Sequence, residues 1–122
     1  MKIRTFCNGD ISEICNLMNS ELGYDVSCEE FKIRILQMQE DKNYEVFVAV
    51  DNRKVIGFIG LQICLAFEIT GKIMRIIALA VEHDFQGQGI GSSLIRKAEE
   101  YAEEKNISTI AVNSGLKRRT IK

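Results

Sequence analysis

The sequence has no proline and only one histidine, His83, among its 122 residues. Without proline, the turns of the chain must be formed by glycine, asparagine and aspartate, which adopt turn conformations readily. The four cysteines, Cys7, Cys15, Cys28 and Cys64, contain no C-x-x-C pair. The sequence therefore lacks the ligand clusters of a usual zinc site, and we expect no metal.

The settings of the cysteines predict reduced and buried thiols, because all four lie among apolar residues in predicted strands and helices. No apolar run approaches the ~18 residues of a membrane span. Residues 1–6 have no apolar segment typical of a secretory leader. We therefore expect a cytoplasmic protein that makes no membrane contact.

The charges nearly cancel, with 16 basic and 17 acidic side chains. Binding to nucleic acid or to an anionic membrane usually needs a strong basic excess, so neither is expected as a partner. A composition with 46% hydrophobic and 27% charged residues is that of an ordinary globular domain. The length is also within the usual range of one domain, and we expect a single domain over residues 1–122.

The spacing of apolar residues predicts the order strand, two helices, three strands, helix, strand. Capping-box patterns, Asp10 with Glu13 and Ser27 with Glu30, predict where the first two helices begin. Consecutive strands joined by tight turns indicate antiparallel pairing, whereas a strand–helix–strand unit indicates a parallel crossover. We therefore expect an α/β fold, a mixed (α+β) sheet with helices on its faces. The predicted strands are 2–6, 45–50, 55–67, 73–81 and 108–112.

Three alternating glycines, Gly87, Gly89 and Gly91, separate a buried strand from an amphipathic helix. Glycine lets the backbone turn sharply and approach a bound group closely. The first N–H groups of the following helix have no partner within it and lie at the positive end of the helix dipole. Together these features predict a binding site for a phosphate or diphosphate. The alternative is a glycine-rich connector that binds no ligand.

Two other phosphate-binding motifs do not fit this stretch. A dinucleotide fingerprint G-x-G-x-x-G that starts at Gly87 would need glycine where the chain has Ser92. A Walker loop would need Gly-Lys followed by serine or threonine, a combination that the sequence does not contain.

The pattern Gln86-x-x-Gly89-x-Gly91, after the strand end 79–81, resembles the GCN5-related N-acetyltransferase (GNAT) superfamily. Within it, the chain is similar to small bacterial acetyltransferases related to aminoalkylphosphonate and aminoglycoside acetylating enzymes. The resemblance implies a GNAT-like acyl-CoA N-acyltransferase fold. It also implies acetyl-coenzyme A as co-substrate and transfer of the acetyl group to the amine of a small molecule, by direct attack in a ternary complex.

The resemblance implies a set of coenzyme-binding residues as well. Backbone N–H groups of the glycine turn would hold the diphosphate, and main-chain groups of Leu79 and Val81 would pair with the pantetheine arm. An N–H near Leu79 or Ala80 would polarise the thioester carbonyl, and residues 22–24 would shape the amine pocket. The implied binding residues are Leu79, Ala80, Val81, Gln86, Gly87, Gln88, Gly89, Ile90, Gly91 and Ser92.

The sequence departs from the family where a catalytic base is expected. Many members carry a glutamate at the positions of Ile77 and Ala78, so a base here would act through water, with Glu68 and Glu82 as candidates. The chain ends before the family's tyrosine-bearing helix and last two strands, and we assign no catalytic residue. The alternative function is a catalytically impaired coenzyme A-binding module, or a fragment that needs a partner chain.

The end of the sequence also affects the expected oligomeric state. Without a further strand, the strand 108–112 would present unpaired N–H and C=O groups at the edge of the sheet. We therefore expect either a homodimer through this C-terminal sheet edge or a marginally stable chain.

Overall fold

The computed structural model describes residues 1–112 and the backbone of residues 118–120. In this part of the chain, helices and strands follow the predicted order, with one further strand at the end. The helices are α1 (Ile11–Leu22), α2 (Cys28–Glu40) and α3 (Ile90–Glu104). The strands are β1 (Lys2–Thr5), β2 (Tyr44–Asp51), β3 (Lys54–Ala66), β4 (Ile69–Val81), β5 (Thr109–Val112) and β6 (Arg118–Thr120).

The strands form one six-stranded sheet in the order β1-β2-β3-β4-β5-β6. Neighbouring strands are antiparallel except β4 and β5, which are parallel. A parallel pair needs a crossover connection, and α3 lies in that connection. The predicted mixed α/β fold is confirmed.

An apolar cluster covers each face of the sheet. Leu94 and Ala98 of α3 belong to the cluster on one face, and Ile14 of α1 and Ile35 of α2 belong to the cluster on the other. Successive side chains of a strand point to opposite faces, so the neighbours Ile59 and Phe58 of β3 belong to different clusters. The helices therefore lie on both faces, with α1 and α2 opposite α3.

Strand β5 is not an edge of this sheet. Its residues Thr109, Ile110 and Ala111 pair with β6 in antiparallel register. The expectation of unpaired N–H and C=O groups along 108–112 is wrong, because the chain returns and supplies a neighbouring strand. The reason given for a homodimer through that edge is thereby removed.

Strand β4 begins at Ile69 rather than at the predicted residue 73. The reversal occurs at residues 67–68, where Ala66 of β3 pairs directly with Ile69. Gly71, which falls between the predicted strands 55–67 and 73–81, lies inside β4 at a ladder irregularity, with a φ of 85°. Glycine adopts this left-handed conformation at little cost, which lets the hairpin continue past it.

The predicted capping box of α1 is wrong, although the helix begins where expected. The Asp10 carboxylate makes no cap hydrogen bond to the helix. It accepts hydrogen bonds from the Arg4 guanidinium at 2.7 and 3.1 Å and from the Cys7 N–H at 2.8 Å. Glu13 accepts a hydrogen bond from the Val55 N–H at 2.9 Å. Both carboxylates therefore tie the helix to the sheet region.

Half of the predicted capping box of α2 is formed, because Ser27 Oγ accepts a hydrogen bond from the Glu30 N–H at 3.4 Å. Beside it, Cys28 forms a disulfide with Cys15 of α1, and their Cα atoms are 5.8 Å apart. The expectation of reduced thiols is wrong for this pair, because the turn between the helices brings both side chains together. Cys7 and Cys64 are free, and Cys7 is exposed rather than buried.

The connection between α1 and α2 is also closed by a side-chain amide. Asn19 Nδ2 donates a hydrogen bond to the Val26 carbonyl oxygen, and its Oδ1 accepts one from the Val26 N–H, both at 3.0 Å. Asn19 therefore pairs with residue 26 much as a neighbouring strand would.

Within the part of the chain that the structure describes, no helix is both long and apolar enough to cross a membrane.

Candidate functional site

A cleft of about 410 Å³ lies between the end of β4 and the start of α3. Apart from Gln88, every binding residue implied by the sequence lines it. Phe85 is a lining residue that the sequence analysis missed, although its position directly before Gln86 was a signal for it. The lining residues are Leu79, Ala80, Val81, Phe85, Gln86, Gly87, Gly89, Ile90, Gly91 and Ser92.

The N-terminus of α3 faces this cleft. Gly89 is the N-cap, and the Ser93 N–H donates to its carbonyl oxygen at 3.0 Å, which is a bond of the first helical turn. The N–H groups of Ile90, Gly91 and Ser92 precede that bond, so the helix offers them no carbonyl partner. They also lie at the positive end of the helix dipole. This end of the cleft is suited to an anionic group.

The three glycines of the turn have different physical roles. Gly87 and Gly89 both have a φ of 81°, a conformation that other residues rarely adopt. Gly91 has no such conformation, and a Cβ built on it would lie 3.8 Å from Val81 Cγ2, an ordinary contact distance. Gly87 and Gly89 are therefore needed for the path of the backbone, whereas Gly91 keeps the cleft wide.

The other end of the cleft is formed by the end of β4, at Leu79, Ala80 and Val81. Strand β5 pairs with β4 only through Met74, Arg75 and Ile76 within the described residues. At the next residue, Ile77, the ladder with β3 has a bulge, because Leu61 pairs with Ile76 and Gly60 with Ala78. A bulge bends its strand and often ends pairing. From residue 77 onwards, no strand of the described residues therefore pairs with β4 on the side away from β3, which we call the open side.

The main-chain groups on that open side can be identified. The Glu82 N–H donates to the Ile56 carbonyl oxygen of β3 at 2.8 Å. Since successive residues point their N–H groups to opposite sides of a strand, the Val81 and Leu79 groups point away from β3. The Ala80 N–H points toward β3, so of the two amides considered for a thioester carbonyl only that of Leu79 is on the open side.

The side chain of Gln86 stabilises the turn from within. Its Nε2 donates to the Val81 carbonyl oxygen at 3.0 Å and to Glu21 Oε1 at 3.1 Å. The other carboxylate oxygen of Glu21 accepts a hydrogen bond from the His83 N–H at 3.1 Å. Glu21 belongs to α1, so one side chain of the first helix holds both ends of the segment 83–86. Nothing in the sequence signalled this residue.

A second cavity, of about 190 Å³, lies on the opposite face of the sheet, between α1, α2 and the bulged strand. Its wall includes Gly60, Ile77 and Ala78 at the bulge. Residues 22–24, expected to shape an amine pocket, do not line this cavity. The remaining lining residues are Ile14, Met18, Val26, Phe31, Arg34, Ile35, Met38, Val46 and Phe58.

The two glutamates considered as bases are poorly positioned for that cavity. Glu68 lies in the hairpin turn before β4, ten residues and roughly 30 Å along the strand from Ala78. Glu82 is ion-paired with Lys54, whose Nζ lies 2.6 Å from its Oε1. That hydrogen bond raises the pKa of Lys54 above its ordinary value. Within residues 1–112, no cluster of three or more histidine, cysteine, aspartate or glutamate side chains could hold a metal ion.

Comparison with known proteins assigns the family. The model of the acetyltransferase (GNAT) family matches residues 11–118. The chain belongs to the GNAT acetyltransferase family. This GNAT chain is 31% identical over 106 residues to an aminoalkylphosphonate N-acetyltransferase of Salmonella typhimurium, a match that covers 87% of the chain and 66% of that relative. The chain thus spans slightly less than two thirds of the relative's length.

Two solved structures of acetyltransferases have the same fold as this chain. A GNAT family acetyltransferase of Staphylococcus aureus has 26% identity and a TM-score of 0.79, over 94% of this chain and 87% of that one. An aminoglycoside 6'-N-acetyltransferase of Acinetobacter haemolyticus has a TM-score of 0.83 at 17% identity, over 100% of this chain and 94% of that one. At that identity the second likeness concerns the fold alone.

Proposed function

We propose that this chain is an acetyl-coenzyme A-dependent N-acetyltransferase that acts on the amine of a small molecule. The observation that carries the proposal is the cleft, which joins the unpaired N–H groups at the start of α3 to the open side of β4. A ligand with an anionic group at one end and an amide-rich arm at the other would match both parts. Family membership supports acetyl transfer as the chemistry.

The residues present fit coenzyme A. The N–H groups of residues 87–92 would hold its diphosphate, since helix N-termini attract anions, whereas the expected Gln86 N–H already donates to the His83 carbonyl oxygen at 3.3 Å. The Leu79 main chain and the Val81 N–H would pair with the pantetheine arm. The Val81 carbonyl oxygen already accepts the Gln86 side chain, so Gln86 orients this residue for pairing. Gln88 remains a proposed contact through its backbone.

Acetyl-coenzyme A supplies an acetyl group activated as a thioester, and we propose direct transfer to the amine in a ternary complex. The Leu79 N–H is the proposed oxyanion donor, because it lies on the open side of β4. The amine would approach from the cavity on the other face, which reaches β4 at Ile77 and Ala78. No acyl-enzyme is proposed: Cys64 of β3 pairs with Ile73, beyond the bulge from the cleft.

The relatives support a small-molecule amine as the substrate, since the Salmonella typhimurium relative is named for aminoalkylphosphonates. We propose that the chain has no membrane or nucleic acid partner, because its charges nearly balance, and a cytoplasmic location stays a proposal. A homodimer through the C-terminal sheet edge would have to form at β6 rather than at β5. The alternative function is coenzyme A binding without transfer. It is favoured because no carboxylate of the described residues lines the second cavity, between α1, α2 and β4.

Thermal unfolding with acetyl-coenzyme A tests the proposed site. At about 100 times its dissociation constant, a ligand adds about 2.7 kcal/mol, which raises Tm by several degrees in a domain of this size. Gly91→Leu should abolish the shift, because its side chain would fill the cleft without backbone strain. Gly9→Leu is the matched control, since a Cβ there has no atom within 4 Å.

A shift in the parent and in Gly9→Leu that is lost in Gly91→Leu supports the coenzyme site. A folded parent that shows no shift contradicts it. Thiol release from acetyl-coenzyme A in the presence of small amines then separates the two functions. Release well above the uncatalysed rate excludes the binding-only alternative, whereas binding without release supports it.

A further inference from the structure

We propose that Arg34 selects amine substrates that carry an oxyanion, a carboxylate or a phosphonate, at the end away from the amine. This inference rests on the proposed function, because it concerns the acceptor side of the same site. Arg34 lies in α2 and lines the cavity that reaches β4. The inference deepens the proposed function by naming the chemical class of the substrate.

The cavity is apolar except at one position. Its lining consists of aliphatic, thioether and aromatic side chains and one glycine, and Arg34 is the only one of its lining residues with an ionisable side chain. Apolar walls hold a short alkyl chain but supply no orientation by themselves. A single charged group at such a site therefore decides which end of a substrate lies near it.

The Arg34 guanidinium is available for a ligand. No ion pair joins it to any carboxylate among the described residues, although Glu30 lies one helical turn away on α2. Arg4, by contrast, is held by Asp10 at 2.7 Å. Arg34 is exposed to solvent and also lines the apolar cavity. A cation in that position lacks a counter-charge that a substrate can provide.

The guanidinium favours one orientation of the substrate. Its planar fork matches two oxygens of a carboxylate or phosphonate, and such charge-assisted pairs are strong. The same charge repels an ammonium group, so the amine end is directed away from α2 toward the wall at Ala78. A volume of 190 Å³ is that of about six water molecules, which suits a substrate with a short chain.

Three amines of matched length test the proposal: aminoethylphosphonate, β-alanine and propylamine, which carries a methyl group in place of the anion. In the parent, kcat/KM for the two anionic amines should exceed that for propylamine by about 10- to 100-fold. Arg34→Gln should lose most of this preference, because kcat/KM should fall more for the two anionic amines than for propylamine. Lys32→Gln, which removes an exposed cation of the same helix that does not line the cavity, should keep it.

The comparison between aminoethylphosphonate and β-alanine shows which oxyanion fits better. A parent without preference for either anionic amine over propylamine overturns the proposal, as does an Arg34→Gln variant that keeps the preference. Transfer to propylamine in that case leaves the proposed function intact.

Calorimetric titration of the same three amines, in the presence of coenzyme A, gives a readout that does not depend on transfer. Tighter binding of an anionic amine to the parent than to Arg34→Gln supports the role of Arg34 even if no amine is acetylated. Equal binding to the two proteins overturns it.

Discussion

The carboxylate of Glu21 accepts a hydrogen bond at 3.1 Å from the side-chain amide of Gln86, 65 residues further along the chain. Its second oxygen accepts the His83 N–H. The first helix therefore holds the segment that leads into the glycine turn. A change at the end of α1 should be felt in the cleft even though Glu21 does not line it.

Glu21→Ala should weaken binding of acetyl-coenzyme A about tenfold, because two hydrogen bonds that order the segment 83–86 are lost. Glu21→Gln keeps an oxygen that can accept one of them, so its effect should be smaller. Calorimetric titration of all variants measures this. Glu29→Ala, at an exposed position of α2, is the control and should bind like the parent. Parent-like affinity in Glu21→Ala would show that the segment is ordered without this contact.

Reduction of the disulfide between Cys15 and Cys28 should destabilise the protein. The bond closes a loop with a sequence separation of 13, and cross-links of that span stabilise by about 3 kcal/mol. Cys15→Ala with Cys28→Ala should lower Tm by roughly 10 °C, and added reductant should have no further effect on that variant.

Cys7→Ser serves as control, because Cys7 is free, and its Tm should fall on reduction as that of the parent does. Alkylation of the protein in intact cells, followed by mass spectrometry, shows whether both thiols are oxidised there. Equal Tm values for oxidised and reduced parent would contradict a stabilising bond.

The pair of Asp10 and Arg4 should make stability depend on pH. Burial acts to raise the pKa of Asp10, but hydrogen bonds from Arg4 and from the Cys7 N–H outweigh it, and the pKa lies below its ordinary value. A carboxylate with a depressed folded-state pKa stabilises the protein above its unfolded pKa of about 4, and this contribution is lost as pH falls through the folded value.

Asp10→Asn should therefore lose about 1–3 kcal/mol at pH 7, and the difference from the parent should shrink as the pH falls below about 4. Urea unfolding at a series of pH values measures both effects. Asp51→Asn is the control, because its ion pair with the terminal amine is long, at 3.6 Å, and partly exposed. It should change stability by less than about 1 kcal/mol. A difference for Asp10→Asn that stays constant down to pH 2 would count against the assignment.

Gly57 of β3 lies close to both β4 and α3. A Cβ built on it would lie 3.1 Å from the Ala80 carbonyl oxygen and 3.3 Å from Leu94 Cδ1. Gly57→Ala should therefore destabilise the protein by about 1–3 kcal/mol through overpacking. Gly9→Ala, where a Cβ meets open space, should not. Chemical denaturation measures the stability of both variants. Equal midpoints would refute the tight contact at Gly57.

The residues that line the cleft between β4 and α3 could be predicted from the sequence because they are contiguous. The strand end, the turn and the helix start all lie between residues 79 and 92, so local patterns were sufficient. Glu21 could not be found in this way, since a polar residue on an amphipathic helix looks like solvated surface. The sequence did not reveal the second cavity, between α1, α2 and β4, because its lining residues have the apolar pattern of an ordinary core.

Other differences between the prediction and the structure arose where a side chain bonds to a group that is distant in the sequence. Asp10 had the local signature of a cap, but Arg4 on β1 offered its carboxylate a charged partner, which binds more strongly than a neutral N–H. The disulfide could not be read from spacing, since Cys15 and Cys28 pair only once the turn between the helices is folded. Strand β6 spans three residues, too few for alternation to identify.

The bulge at Ile77 makes β4 one residue longer than its core packing requires. Met74 and Ile76 belong to the α3-side cluster before it, and Leu79 and Val81 contact that cluster after it. Deleting Ile77 would leave all four on the same face and make the ladder with β3 continuous from Lys72 to Val81. A shorter protein could thus keep the same interior while losing the opening beside β5. In this strand, one additional residue, rather than the identity of its neighbours, produces the break in the ladder beside the cleft.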